Sequence, residues 1–226
     1  MPTLILSPRQ TEDGQRLWRA ASQLGWRVER LASWRIPDDF IDLPEPVLYA
    51  EALFAPTLAE SLGITLAEPP DDWLPNLPPE YRQRDVRLTT AGAARANPDP
   101  AFVKPPNDKS FPAGVYRGAE IPDYVADGEP VLVQDVVEWE LEFRCFVLDR
   151  EVRALSVYLR NGELQKDAGY ASSDDEDAAA RAFAARVLSD NRVSLPDAVV
   201  LDVGVVRGRG WAAVELNSAW GAGLYG

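Results

Sequence analysis

The 226-residue sequence contains no histidine and a single cysteine. The first absence removes Ser-His-Asp and Cys-His catalysis and every imidazole-bound zinc site, so any metal must be held by oxygen. The lone Cys145 permits neither an internal disulfide nor a thiolate cluster, and its neighbours Phe143, Phe146 and Val147 mark a core position. Long hydrophobic runs are also missing. Val199–Leu201 and Val203–Val206, on either side of Asp202, are far too short to cross a bilayer. Met1–Gln10 lacks the basic-then-apolar pattern of a secretion signal, so no membrane partner and a cytoplasmic location are expected. Positive charge is scarce: 23 Lys and Arg against 36 Asp and Glu give a net charge of −13. That field repels phosphate polymers, and nucleic acid is not expected as a general partner unless a local basic cleft overrides it. Part of the acidity is local, because Asp174–Asp177 sits where a helix would begin and complements its dipole.

With 46% hydrophobic residues, the chain can build one large core or two small ones. Thr3–Ser7 reads as a strand; Leu17, Trp18, Ala21 and Leu24 recur at helical spacing up to Gly25. Strands at Trp26–Leu31 and Pro46–Tyr49 follow, and a helix over Ala52–Leu62 ends at Gly63, so the opening third reads as a small α/β unit with parallel strands. Glu68–Pro79 carries five prolines and reads as an extended connection on the surface of that unit. A helix through Thr89–Ala96 ends at Asn97-Pro98-Asp99-Pro100, the clearest boundary in the sequence. Beyond it strands dominate: Ala101–Lys104, Val131–Val137, Glu142–Leu148, Val152–Arg160, Ala198–Val206 and Trp211–Asn217. The only long helix there is Asp174–Asp190, with Ser173 as N-cap and Ala179, Phe183 and Val187 on one face. That half is of α+β character.

The most specific feature is VVLDVGVVRGRGWAAVELN. Two apolar strands flank a turn rich in glycine, and a turn symmetric about Gly208–Arg209 sets Asp202 opposite Glu215, with Asn217 following on the face of Glu215. Carboxylates facing each other across paired strands repel unless something positive lies between them. A hard divalent cation is the simplest answer, and magnesium suits an Asp, Glu and Asn oxygen set. The bland alternative is a solvated sheet face, or pairing with Arg207 and Arg209. The apolar surroundings on both strand faces weigh against it, since an unpaired buried carboxylate is costly.

The aspartate strand followed by Glu215-Leu216-Asn217 resembles the terminal metal motif of the ATP-grasp family. FVKPPNDKSFPAGVY resembles its strand-lysine-proline and glycine loop, and VLVQDVVEWELEFRCFV its hinge. The resemblance implies a small Rossmann-like α/β domain with its connector over 1–79, then an ATP-grasp-like core over 80–226 with a short lid near 105–132. It implies ATP and Mg2+ as cofactors, with Asp202, Glu215 and Asn217 on the metal. Lys104 would contact phosphates, Gln134, Asp135 and Val136 adenine, and Glu142 the ribose; Lys109 and Arg144 would act in catalysis, Arg144 on an acyl-phosphate. YRQRDVRLTT offers only arginines, Arg82, Arg84 and Arg87, for a further phosphate contact, and with Lys104 and Lys109 it is similar to the clade marked by one arginine and two lysines. The implied activity is an ADP-forming ligase joining a small-molecule or peptide carboxylate to an amine or similar nucleophile. A non-catalytic MgATP-binding regulatory protein of the same fold is the alternative, and a homodimer is the base-rate expectation.

Overall fold

The computed structural model describes residues 1–40 and 43–225; Gly226, the end of the glycine-rich C-terminal stretch, lies outside them. The chain divides into two compact units, Met1–Ala67 with Ser218–Leu224, and Glu68–Asn217 with residues 225–226.

In the first unit, β1 (Thr3–Leu6), buried throughout, runs parallel to β2 (Arg27–Arg30) on one side and β3 (Pro46–Tyr49) on the other. The crossover helix α1 (Glu12–Gln23) starts where the Thr11 hydroxyl accepts from the Gly14 N–H. Helix α2 (Ala55–Leu62) stops at Gly63, whose φ of 66° lies in the left-handed region. Ile5, Leu31, Leu48, Leu58 and Leu62 form this unit's core. The parallel α/β reading therefore holds. The C-terminal stretch, expected as a free loop, is pinned within this unit: Trp220 Nε1 donates to Ala67 O at 3.1 Å, Ala50 N to Trp220 O at 3.2 Å, and Leu224 N to Asp13 Oδ2 at 3.1 Å.

The second unit begins with the proline-rich segment, which does not behave as expected. It forms two single-turn helices, α3 (Trp73–Asn76) and α4 (Pro79–Arg82), and buries Trp73, Leu74, Leu77 and Tyr81 in the second unit's core rather than on the first. Trp73 Nε1 donates to Ser194 O at 3.0 Å. Its apolar side chains gain more from burial than the prolines gain from an extended backbone, so the compact units divide after Ala67 and not near residue 79.

Next comes a four-stranded sheet in the order β4-β7-β5-β6: β4 (Val86–Thr90), β5 (Ala101–Lys104), β6 (Gly114–Tyr116) and β7 (Pro130–Gln134). Helix α5 (Ala91–Arg95) is capped by the Thr90 hydroxyl, so the expected helix from Thr89 loses its first residues to a strand. Asn97–Pro100 is no boundary: α5 shares one core with β5 and β7, and Gly118 N donates to Asn97 O at 2.9 Å. A Cβ on Gly118 would lie 2.2 Å from Arg95 O, and this close approach demands glycine. The stretch taken as the lid packs Phe111, Ile121 and Val125 into the same core.

The remaining sheet has the order β10-β9-β8-β11-β12. Its strands are β8 (Trp139–Leu148), β9 (Glu151–Arg160), β10 (Glu163–Leu164), β11 (Ala198–Val206) and β12 (Gly210–Ser218). Helix α6 (Asp174–Ser189) opens with a capping box between Ser173 and Glu176 and buries Ala180, Phe183, Ala184, Val187 and Leu188. Cys145 lies fully buried in this core, as expected, and burial pushes its thiol up to about 12.

Candidate functional site

The site grows from the pairing of β8 with β11. Asp202 stands directly across from Arg144, and Gly204 across from Glu142. Period-two alternation then puts Arg144, Glu142 and Asp202 on one sheet face. The hairpin that leads to β12 closes where Arg209 N donates to Val206 O at 3.0 Å, with Gly208 and Gly210 at φ 72° and 88°. This turn is centred on Arg207–Gly208, one residue before the symmetric turn expected, so the paired-position arithmetic does not apply. The three oxygen-bearing side chains converge all the same. Asn217 Nδ2 donates to Asp202 Oδ2 at 3.1 Å and to Glu215 Oε1 at 3.0 Å, bridging the two carboxylates.

What lies against those carboxylates is side-chain cation. Arg144 grips Asp202 with two hydrogen bonds, Nε to Oδ1 at 3.0 Å and an Nη to Oδ2 at 2.7 Å. Lys104, at the end of β5, donates to Glu215 Oε2. The result is a chain of alternating charge, Arg144–Asp202–Asn217–Glu215–Lys104. The bland alternative is set aside in its particulars, because Arg207 pairs with Glu138 and Glu140 and Arg209 with Asp135. The nearby acids Glu140, Glu142 and Asp149, candidate partners of Arg144 by sequence, give way to Asp202.

Electrostatics separate the two carboxyls. Asp202 is completely shielded from solvent, and burial pushes its carboxyl up to about 6 against the pull of Arg144. The pair is charged at neutral pH. Glu215 feels the same burial, but the charge and hydrogen bond of Lys104, helped by the Asn217 amide, outweigh it and hold the carboxyl down at about 2. Glu142, also buried, rises to about 7: burial dominates, and the hydrogen bond from the Tyr158 hydroxyl, 2.9 Å from Oε2, opposes it.

The other expected residues divide. Gln134, at the end of β7, is buried and accepts from Arg84 Nε at 2.9 Å, while Asp135 and Val136 are exposed just beyond it. Arg84 is not held ready for a phosphate. Its guanidinium also donates to Arg82 O at 2.9 Å, Ala213 O at 2.8 Å and Val214 O at 2.9 Å, and lies 5.0 Å from the Trp139 ring. Burial lowers its pKa to about 10. Here it ties the end of β7 to β12. Arg87 is exposed on the edge strand β4, and Lys109 is exposed in the turn after β5. The neighbouring Asp108 accepts from Ser110 N at 2.8 Å.

Two groups at the site escaped sequence reasoning. Tyr158 falls where the β8–β9 register slips between Glu142 and Phe143, so no count of alternate positions brings it to Glu142. Tyr225 stacks on Tyr158 with ring centroids 5.2 Å apart and lies 4.9 Å from the Arg144 guanidinium carbon. A third element, the loop after Lys104, is fastened by Asn107 Nδ2, which donates to Pro69 O at 2.9 Å and Asp71 Oδ1 at 2.6 Å. Lys104, Glu215, Asp71, Pro106 and Leu216 line a cleft there.

The donor set fits a small hard cation: two carboxylates and an amide, all oxygen ligands, on adjacent strands. Among the described residues no group of three or more His, Cys, Asp or Glu side chains is arranged to hold a metal, so the amide of Asn217 is needed to complete a third ligand. Among them, too, no helix is long and apolar enough to cross a membrane.

Comparison with curated proteins gives no match. Among solved structures, the chain is similar to a RimK-domain ATP-grasp protein from Sphaerobacter thermophilus, at 17% identity and a TM-score of 0.61 over 96% of this chain and 90% of that one. It is similar to D-cycloserine synthetase DcsG, at 16% identity and a TM-score of 0.63 over 96% and 91%. It is also similar to the ATP-grasp ligase PsnB, solved with a phosphomimetic variant of its minimal precursor, Mg and ADP, at 14% identity and a TM-score of 0.54 over 99% and 89%. At these identities the likeness is one of fold. The model of an ATP-grasp domain family, the second family of the clade named for one arginine and two lysines, matches residues 81–226. That span takes in both sheets of the second unit and every member of the Arg144-to-Lys104 chain. The chain belongs to the ATP-grasp family.

Proposed function

We propose that the protein is an ATP- and magnesium-dependent ligase that converts a substrate carboxylate to an acyl-phosphate, releasing ADP, for attack by an amine or similar nucleophile. The observation that carries this reading is the Asp202–Asn217–Glu215 cluster, with one cation on each carboxylate. Phosphoryl transfer needs positioning and charge neutralisation more than a protein nucleophile, which suits a chain without histidine.

Asp202, Glu215 and the amide oxygen of Asn217 would hold magnesium, which supplies charge neutralisation at the ATP phosphates. Carboxylates engaged in that way release their present partners. Lys104 then turns from Glu215 toward phosphate oxygens, with Lys109 and Arg87 as further cations in this reading. Arg144 turns from Asp202 toward the acyl-phosphate. Gln134, Asp135 and Val136 form the adenine edge, Val136 offering an exposed apolar side chain, and Glu142 meets the ribose. Arg84 contributes by fixing Gln134 and the backbone of β12 rather than by touching phosphate. The first unit belongs to this reading as a small Rossmann-like domain ahead of the core. The relatives that bear the names D-cycloserine synthetase and PsnB point to amino-acid-like or peptide carboxylates as the first substrates to try.

An ADP-release assay across such acids, each paired with amine acceptors, tests the reading. Turnover that depends on acid, magnesium and Lys104 supports it. Saturable MgATP binding with no ADP under any mixture supports the non-catalytic reading instead, and the compact segment over residues 105–129, with a single three-residue strand, is the feature that favours it.

A further inference from the structure

Resting on the ligase reading, we infer that Tyr225 is a positioning residue that acts on the metal site through Arg144, stabilising the state in which Asp202 is gripped by the guanidinium and withheld from a cation. The geometry is specific. The Tyr225 and Tyr158 rings are nearly parallel, 11° apart, and both lie against the same guanidinium, their centroids 4.9 and 5.4 Å from its central carbon. Tyr170 adds a third ring, its centroid 5.4 Å from that of Tyr225. Arg144 is thereby fixed twice, by its two hydrogen bonds to Asp202 and by aromatic faces that attract a cation.

Asp202 cannot serve both partners with the same oxygens. The gripped form and the cation-bound form are therefore alternatives, and a group that stabilises one lowers the apparent affinity for the ligand of the other. Tyr158 is buried and bonded to Glu142, so it belongs to the strand framework. Tyr225 is only partly buried and comes from outside the sheet, which makes it the ring able to leave when Arg144 turns toward substrate.

The experiment is a calorimetric titration of the full-length protein with Mg2+ and the non-hydrolysable analogue AMPPNP, for wild type, Tyr225→Ala and Tyr225→Phe, with the Arg144 Nε–H proton exchange followed by NMR in the free proteins. Tyr225→Ala is expected to tighten Mg–AMPPNP binding roughly threefold to tenfold, the range a partly desolvated cation–ring contact supports, and to speed the Nε–H exchange. Tyr225→Phe, which keeps the ring, is expected to match wild type in both. A merely structural role would weaken binding or leave it alone. Wild type that binds Mg–AMPPNP, with Tyr225→Ala binding equally or more weakly, overturns this inference and leaves the ligase reading standing. Wild type that binds no Mg–AMPPNP overturns both.

Discussion

Arg84 directs its guanidinium to four protein acceptors, on Arg82, Gln134, Ala213 and Val214, and that settles what it can do. Removing it leaves buried acceptors without donors, so Arg84→Ala is expected to lower unfolding free energy in urea by about 3 kcal/mol. Arg84→Lys should recover little of this, since an ammonium cannot reproduce the diverging planar fork. The same reasoning explains where the sequence was legible at this scale. Asp202, Glu215 and Asn217 could be picked out because carboxylates among apolar strand residues demand a partner. Which cation answers that demand could not be read, because Arg144 and Lys104 reach Asp202 and Glu215 from 58 and 111 residues away. Arg84, Arg82 and Arg87 looked alike as letters; only burial distinguishes the tether from the surface charge.

Elements at the site depend on two local devices. Gly204 lies across from Glu142 where β8 and β11 come close: a Cβ there would meet Leu141 O at 2.5 Å and the Trp139 ring at 2.9 Å. Gly204→Ala is therefore expected to destabilise by about 2 kcal/mol or more, read by chemical denaturation, because the backbone oxygen cannot move aside without disturbing the pair. Helix α6 is fixed at its start by Glu176, held down at about 2 by hydrogen bonds from Arg160 and then from the Ser173 backbone. Its folded value lies below the ordinary 4.5, so its stabilisation is complete above that pH and disappears as the pH falls through 2. Denaturation of Glu176→Gln beside wild type should show a deficit of about 1 kcal/mol at pH 7 that shrinks toward zero near pH 2. Long, strongly patterned elements such as β11 and α6 were legible to within a residue or two. Strands β4, β6 and β10 were not, since each is short and lies on a sheet edge with few apolar residues to set a period.

At the scale of the whole molecule, the segment over Glu68–Pro79 decides how the chain is partitioned. Its prolines signal an extended linker, yet its apolar residues are worth more inside the second unit's core, a balance that composition alone cannot weigh. Trp73→Ala should cost about 3 to 5 kcal/mol in the unfolding of that unit, visible as a shift of its thermal transition. The division into an α/β unit and a two-sheet unit was readable from the change of pattern along the chain; its position was not. The central claim for the molecule concerns one cluster: two carboxylates joined by an amide, kept in balance by Arg144 and Lys104 until a nucleotide and its metal replace them. Calorimetric titration with AMPPNP, in magnesium and again in EDTA, for wild type and Glu215→Gln, tests this most directly. The account predicts saturable binding by wild type that requires magnesium and weakens at least about tenfold in the variant. Binding of equal strength without magnesium, or unchanged by the loss of the Glu215 charge, would contradict it.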